Sequence, residues 1–273
     1  MSKKKLNYSQ LSEERKQLQS EGLIPDWYST AGWQLFKDRY LYKAKNVKEQ
    51  FTRIANTAAS HLPENIRQLA STKFFNMLWD GVLSGATPVV GNTGTDRGLP
   101  VSCQGADFGD SIYNFYKTKL DLAIHTQEGF GTSGYLGDVR PRGSKISRGG
   151  TAEGVLPLLK GMVSDMQYIS QGSVRRGSFA GYLPLSHGDF DEVIEYIHSN
   201  PEDFNIGWNI SNEEVDKLCN NSDIELNRRF SKAMARLKMS KGKGYWMFPD
   251  KANNLTTQAI KNSGKKIKAS NLC

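Results

Sequence analysis

The sequence predicts an all-helical N-terminal region followed by an α/β fold with parallel strands. Three observations carry this. Apolar residues recur at spacings of three and four through the first 85 residues, the period of an amphipathic helix. The texture changes at Thr87, where short β-branched stretches bounded by glycine take over. Beyond that point strand-like and helix-like segments alternate, which is how parallel strands are joined. The predicted domains are therefore 1–85, all-helical, and 86–273, α/β.

The elements follow in order. SQLSEERKQLQSEG has a capping serine, charged faces and a closing Gly22, with Pro25 beyond it. NVKEQFTRIANTAASHL sets Val47, Phe51, Ile54 and Ala58 on one stripe behind Asn46 as N-cap. A third helix starts at Pro63 and carries Ile66, Leu69, Phe74 and Leu78. These stripes read as packing faces. TPVVGNTG, from Thr87, reads as a buried strand. Glycine-rich turns recur in GFGTSGYLG, GSKISRGG and SQGSVRRGS, with a helix over Gly154–Ile169. In α/β folds chemistry gathers on the loops at strand ends, which directs attention to those turns.

Bulk properties narrow the function classes. A chain of 273 residues, 38% hydrophobic, can bury one large core and a small one. It has no apolar run of about 18 residues, so no membrane span is expected. The basic start MSKKKLNYSQ is followed by no apolar stretch and is not a secretory signal. Cys103, Cys219 and Cys273 are too few and too scattered for a disulfide framework, and a reducing cytoplasm is the expected compartment. Cys219 reads as structural. The net charge of +8 raises nucleic acid as a partner, with basic clusters at Ser2–Lys5 and Lys261–Lys268. Neither zinc-finger spacing nor an aromatic RNA-binding signature accompanies it, and no metal site is expected. A phosphate-bearing small molecule draws on the same basic groups.

Three segments carry candidate chemistry. PVSCQGADFGDSI places Cys103 after a short apolar run, then Gly-Asp-Ser. GFGTSGYLGDVRPRGSKI combines close-spaced glycines, whose backbone N–H groups can face a phosphate, with Arg140 and Arg142. SQGSVRRGSFAGYLPLSHGDF sets Gln171 beside Arg175 and Arg176 in a flexible loop. In this order, and with the closing SNLC, they resemble the large, catalytic chain of ribonucleotide reductase. The likeness runs from about Thr87 to Cys273 and is densest over Cys103–Asp189. The helical first part resembles the small all-α domain of that family.

The resemblance implies a fold and roles. The fold is the all-α domain followed by the first five parallel strands of a ten-stranded α/β barrel. Cys273 matches the cysteine that becomes a thiyl radical and takes the 3′ hydrogen of the ribose, and Asn271 matches the asparagine that hydrogen-bonds the sugar. Cys103 matches one of the two cysteines that supply reducing equivalents. Thr87 and Ser102 match substrate phosphate and sugar contacts, and Gly129 a glycine near the substrate. Asp110, Ser111 and Arg140 match effector-nucleotide contacts, with Ser147 and Arg148 nearby. Gln171 and Arg175 fall in the loop that relays effector identity to base choice, which reads QGSVRRG where many members have a double glycine after the Gln.

The chemistry is consistent with these residue types. Hydrogen abstraction from an unactivated C–H bond needs a radical, which a thiol–thiolate pair does not provide, and a thiyl radical must be shielded from water. The family pattern continues past Cys273 with a glutamate, the second redox cysteine, the radical-carrying tyrosines and a C-terminal cysteine pair. The expectation is thus an N-terminal piece of the catalytic chain, ending on the finger loop between two half-barrels and active with a separate C-terminal half. No cofactor is expected on this chain. The radical is expected from a metal-containing small subunit, nucleoside triphosphates as effectors, thioredoxin or glutaredoxin as reductant, and a homodimer of assembled large subunits. The alternatives are an adenosylcobalamin-dependent member, a nucleotide-binding fragment without catalysis, and a nucleic-acid binder.

Overall fold

The computed structural model describes residues 6–171 and 175–270. They form two compact units, one of residues up to Ser102 together with Arg175, the other of the remainder from Cys103.

The first unit is helical. Helix α1 (Tyr8–Ser20) is closed by a capping box in which Asn7, and not a serine, takes the Gln10 amide N–H at 2.9 Å. Helix α2 (Thr30–Leu35) runs into a π-helical turn, Phe36–Tyr40. Helix α3 (Val47–Ser60) starts at Asn46 as the sequence predicts. Val47, Phe51 and Ile54 of its stripe are buried, but Ala55 and Ala59 continue it, while Ala58 faces solvent. Helix α4 (Glu64–Trp79) buries Leu78 and leaves Ile66 and Leu69 exposed, so only the end of its predicted stripe is a packing face. The shared core is Trp33, Phe36, Val47, Phe51, Ile54, Leu78 and Val90.

TPVVGNTG is not a strand. Thr87–Asn92 is helix α5, with Pro88 in its first turn, where a fixed φ favours helix and no N–H is missed. Val90 packs into the helical core and its carbonyl accepts from Gln50 Nε2 at 2.8 Å, so burial overrides the β preference of two adjacent valines. That packing carries the division of the chain on to Ser102/Cys103, beyond the 85/86 boundary drawn from texture.

The second unit is built on one five-stranded parallel sheet. Strand β1 (Cys103–Asp107), helix α6 (Ile112–Gln127), β2 (Gly131–Tyr135) and helix α7 (Leu156–Tyr168) come first. The short strands β3 (Ser170–Gln171) and β4 (Arg175–Arg176) make a separate two-stranded sheet. Then come β5 (Phe179–Pro184), helix α8 (Phe190–Ser199), β6 (Asn205–Asn209), and helices α9 (Asn212–Cys219) and α10 (Ile224–Ala233) with a π-helical turn at Met234–Met239. Strand β7 (Tyr245–Met247) and helices α11 (Pro249–Leu255) and α12 (Gln258–Asn262) close it. The main sheet is ordered β1-β2-β5-β6-β7, every pair parallel, so its strands follow the chain.

The glycine-rich GFGTSGYLG, expected as a turn, is instead the buried strand β2. The reason is crowding: a side chain at Gly134 would lie 2.4 Å from the Phe108 ring, so the glycine is there for packing. Gly207 in β6 does the same for Tyr182, whose ring lies 2.2 Å from where a Cβ would sit.

Candidate functional site

Strand alternation gives the sheet two unlike faces. Ala106, Phe179, Leu183, Ile206, Trp208 and Trp246 point to one face and join the apolar core with Leu122, Leu159, Val193 and Ile194 of the helices. Their neighbours along the strands point the other way. In register these are Cys103 and Asp107 of β1, Ser133 and Tyr135 of β2, Tyr182 of β5, and Asn205 and Asn209 of β6. This second face is polar and carries a cysteine, yet much of it is dry: Ser133, Tyr182 and Asn209 are all buried.

What covers it is the chain's own last described segment. Ser133 Oγ donates to the Ser270 carbonyl at 2.8 Å, and Asn209 Nδ2 to the Lys268 carbonyl at 2.7 Å. The Lys268 ammonium reaches Asp107 at 2.6 Å and also Asp138, and lies 5.2 Å from the Tyr135 ring centre. Burial pulls its pKa down, but the two aspartates outweigh that and hold the ammonium above its ordinary range. Desolvation, with help from Asp138, raises the Tyr135 phenol, and desolvation also raises Tyr182 despite its hydrogen bonding with Ser270. Both phenols therefore stay protonated at neutral pH.

A second group gathers at the carboxyl ends of β1 and β2. The Asp110 carboxylate accepts from Arg140 Nε at 2.7 Å and from the Arg140 amide N–H at 3.2 Å, and Arg140 Nη1 donates to the Lys145 carbonyl. Ser111 caps α6 by accepting the Asn114 amide N–H. From Arg142 the chain rises into a two-stranded arm: Gly143 N–H donates to the Ala152 carbonyl, Ala152 N–H to Ser144, and Lys145 bridges Thr151. Its tip bears Ser147 and Arg148, both exposed, and turns through Gly149 and Gly150 at φ of 90° and 89°.

The predicted site residues thus fall into separate groups. Asp110 pairs with Arg140 across the β1–α6 and β2–α7 connections, Ser111 caps α6 next to Asp110, and Ser147 and Arg148 lie at the tip of the arm that follows Arg140. Cys103, which follows a short apolar run in the sequence, is the first residue of β1 and sits at the amino end of the sheet. Gly129 lies at that same end, two residues before the Gly131 that is in register with Cys103, and has a φ of 101°. Thr87 and Ser102 belong to the helical unit, where Thr87 Oγ1 is 3.3 Å from the Tyr40 hydroxyl. Gln171 and Arg175 lie on β3 and β4. Asn271 and Cys273 lie outside the described residues. Cys219, read as structural, is an exposed free thiol at the end of α9. Sequence reasoning missed Asp107, Ser133, Asp138, Tyr182, Asn209 and Lys268. Asn209 leaves a trace in the alternation of NIGWN, and Lys268 in the basic cluster Lys261–Lys268, but no local pattern marks the others.

Among the described residues no helix is long and apolar enough to cross a membrane. Two family models match the chain: ribonucleotide reductase, all-alpha domain, over residues 26–98, and ribonucleotide reductase, barrel domain, over residues 101–228. A vitamin B12-dependent ribonucleoside-diphosphate reductase of Thermoplasma acidophilum is 31% identical over 160 residues, which is 56% of this chain and 20% of that protein. A putative ribonucleoside-diphosphate reductase large subunit of Frog virus 3 is 30% identical over 198 residues, 66% of this chain and 34% of its own length. Among solved structures, the class Id ribonucleotide reductase alpha subunit of Actinobacillus ureae superposes with a TM-score of 0.77 at 30% identity, covering 91% of this chain and 45% of that one. The chain therefore spans between a fifth and a half of the length of these relatives.

Proposed function

The chain belongs to the ribonucleotide reductase large-subunit family, and its five-stranded sheet is part of that family's α/β barrel; from this we propose that it forms part of a ribonucleoside-diphosphate reductase. The carrying observation is the polar sheet face that bears Cys103 and is buried at Ser133, Tyr182 and Asn209, opposite an apolar, helix-covered one. On this reading Cys273 holds the thiyl radical that takes the 3′ hydrogen of the ribose, and Asn271 hydrogen-bonds the sugar. Cys103 and a second cysteine on the remaining half of the barrel give up two electrons and two protons and become a disulfide. Thr87, Ser102 and Gly129 contact substrate. A small subunit supplies the radical, and thioredoxin or glutaredoxin restores the thiols. Cytoplasmic location is part of the same proposal.

Asp110, Ser111, Arg140, Ser147 and Arg148 bind an effector nucleoside triphosphate, with Gln171 and Arg175 relaying its identity. The homodimer finds support next to that group: α6 leaves Ile112, Tyr116, Leu120 and Ile124 exposed at intervals of four, one apolar stripe beginning beside Ser111. The adenosylcobalamin-dependent reading is favoured by relatives named as vitamin B12-dependent.

The test is reduction of ribonucleoside diphosphates by this chain together with the rest of the barrel, a radical source and dithiol. Deoxynucleotide product is expected, and none with any radical source overturns the catalytic reading. Thermal-shift titration with dATP, dTTP and dGTP then separates a nucleotide-binding role from none.

A further inference from the structure

The arm that carries Ser147 and Arg148 is tied down at both feet by one buried side chain. Asp189, 4% exposed, lies in the turn between β5 and α8. Its Oδ1 accepts the Arg142 amide N–H at 2.8 Å, where the arm leaves the sheet, and its Oδ2 accepts the Val155 amide N–H at 2.8 Å, where the arm returns. Val155 is the N-cap of α7, so the carboxylate also sits where a helix dipole favours negative charge. The Arg142 side chain is not the partner of Asp189, since it pairs with Glu192 and Glu153 at the surface.

The neighbouring residues are built around the same tie. The Asp189 amide N–H donates to His187 Nδ1 at 3.1 Å, and the other ring nitrogen of His187 is 2.8 Å from the Val139 carbonyl. A carbonyl accepts, so Nε2 carries the proton and Nδ1 is the acceptor, and His187 serves as a neutral spacer between the turn and the arm. Gly154, at φ of 74°, lets the backbone approach: a Cβ there would lie 2.3 Å from Asp189 Oδ2. Three backbone groups of the 139–155 segment thus end on the turn at 187–189.

We propose that Asp189 is the positioning residue of the nucleotide-binding arm, one carboxylate that fixes both feet and so sets where Ser147 and Arg148 stand. This rests on the reading of the arm as an effector site. Each oxygen serves one foot, so no neutral isostere can serve both. An asparagine offers one acceptor and turns an NH2 donor toward the other N–H.

The test compares Asp189→Asn, Gly154→Ala and, as a control on the exposed side of α8, Asp191→Asn, each as the full chain. Two quantities are read: calorimetric affinity for dATP, dTTP and dGTP, and hydrogen exchange of amides 142–155. Asp189→Asn is expected to weaken nucleotide binding by about tenfold or more and to speed exchange across the arm. Gly154→Ala, which pushes on the same carboxylate from the arm side, moves both in the same direction, and Asp191→Asn moves neither. Should Asp189→Asn fail to fold, Gly154→Ala decides alone. Folded variants with wild-type exchange over 142–155 overturn the tie, and faster exchange with unchanged affinity overturns its role in binding. Absence of nucleotide binding by the wild-type chain overturns the effector reading instead, while the exchange comparison still reports on the tie.

Discussion

At the scale of single residues, two assignments gain a physical setting. Cys103 stands on the polar sheet face at the amino ends of the strands, and Asp110 and Arg140 at the carboxyl ends, so the proposed function separates a thiol needed for turnover from the effector contacts. Cys103→Ser is expected to abolish multiple turnovers by the assembled enzyme with external dithiol and to leave effector affinity intact. Full turnover by that variant removes Cys103 from the redox role. Arg140 is held by Asp110 at 2.7 Å, so its guanidinium is aimed and partly neutralised by that carboxylate. A charge-assisted contact contributes about 1.5–3 kcal/mol, so Arg140→Ala should weaken effector binding by roughly one to two powers of ten. Unchanged affinity by calorimetry takes Arg140 out of the site.

At the scale of elements, α8 and α10 are joined by ion pairs over their apolar contact. Asp191 meets Arg228 and Lys232, each at 2.7 Å, and Glu195 meets Lys232 at 2.9 Å. The Arg228 hydrogen bond, opposed by burial and aided by Lys232, lowers the Asp191 carboxyl to about 2. A carboxylate lowered in the folded state lends stability above its unfolded pKa of about 3.9, and that stability is lost as pH falls toward 2. The side chain is 47% exposed, so solvent screening keeps the contribution within about 1 kcal/mol. Asp191→Asn should therefore unfold at lower urea than wild type at pH 6, with the gap narrowing as pH falls through about 2 and narrowing in salt. A gap independent of pH would show that the pair lends no such stability.

At the scale of the whole molecule, the sheet decides what the chain needs. Among the described residues β1 and β7 each pair on one side only, and the polar face lies under a single strap of residues 265–270. Edges of this kind call for a partner or invite aggregation. The proposed chemistry needs a second redox cysteine, and the rest of the barrel is where the family carries it. The 273-residue chain alone is expected to yield no deoxynucleotide, and activity is expected when the remaining half of the barrel is present. Nucleotide reduction by this chain on its own overturns the division of labour.

The sequence by itself determined the family, the helical start and the α/β alternation, because periodicity and short motifs are local and survive in one dimension. It misjudged TPVVGNTG and GFGTSGYLG for one shared reason. Valine pairs and glycine runs carry weak local preferences, and burial against Gln50 and Phe51 in one case and Phe108 and Phe179 in the other reversed them. Only the tertiary structure could decide that Lys268 joins Asp107 and Asp138, 161 and 130 positions away, or that Asp189 holds Arg142 and Val155 together. Those contacts depend on strand register and on the turn between β5 and α8. They arise when distant backbone groups lose water together and must find partners in each other, which no local pattern in the sequence records.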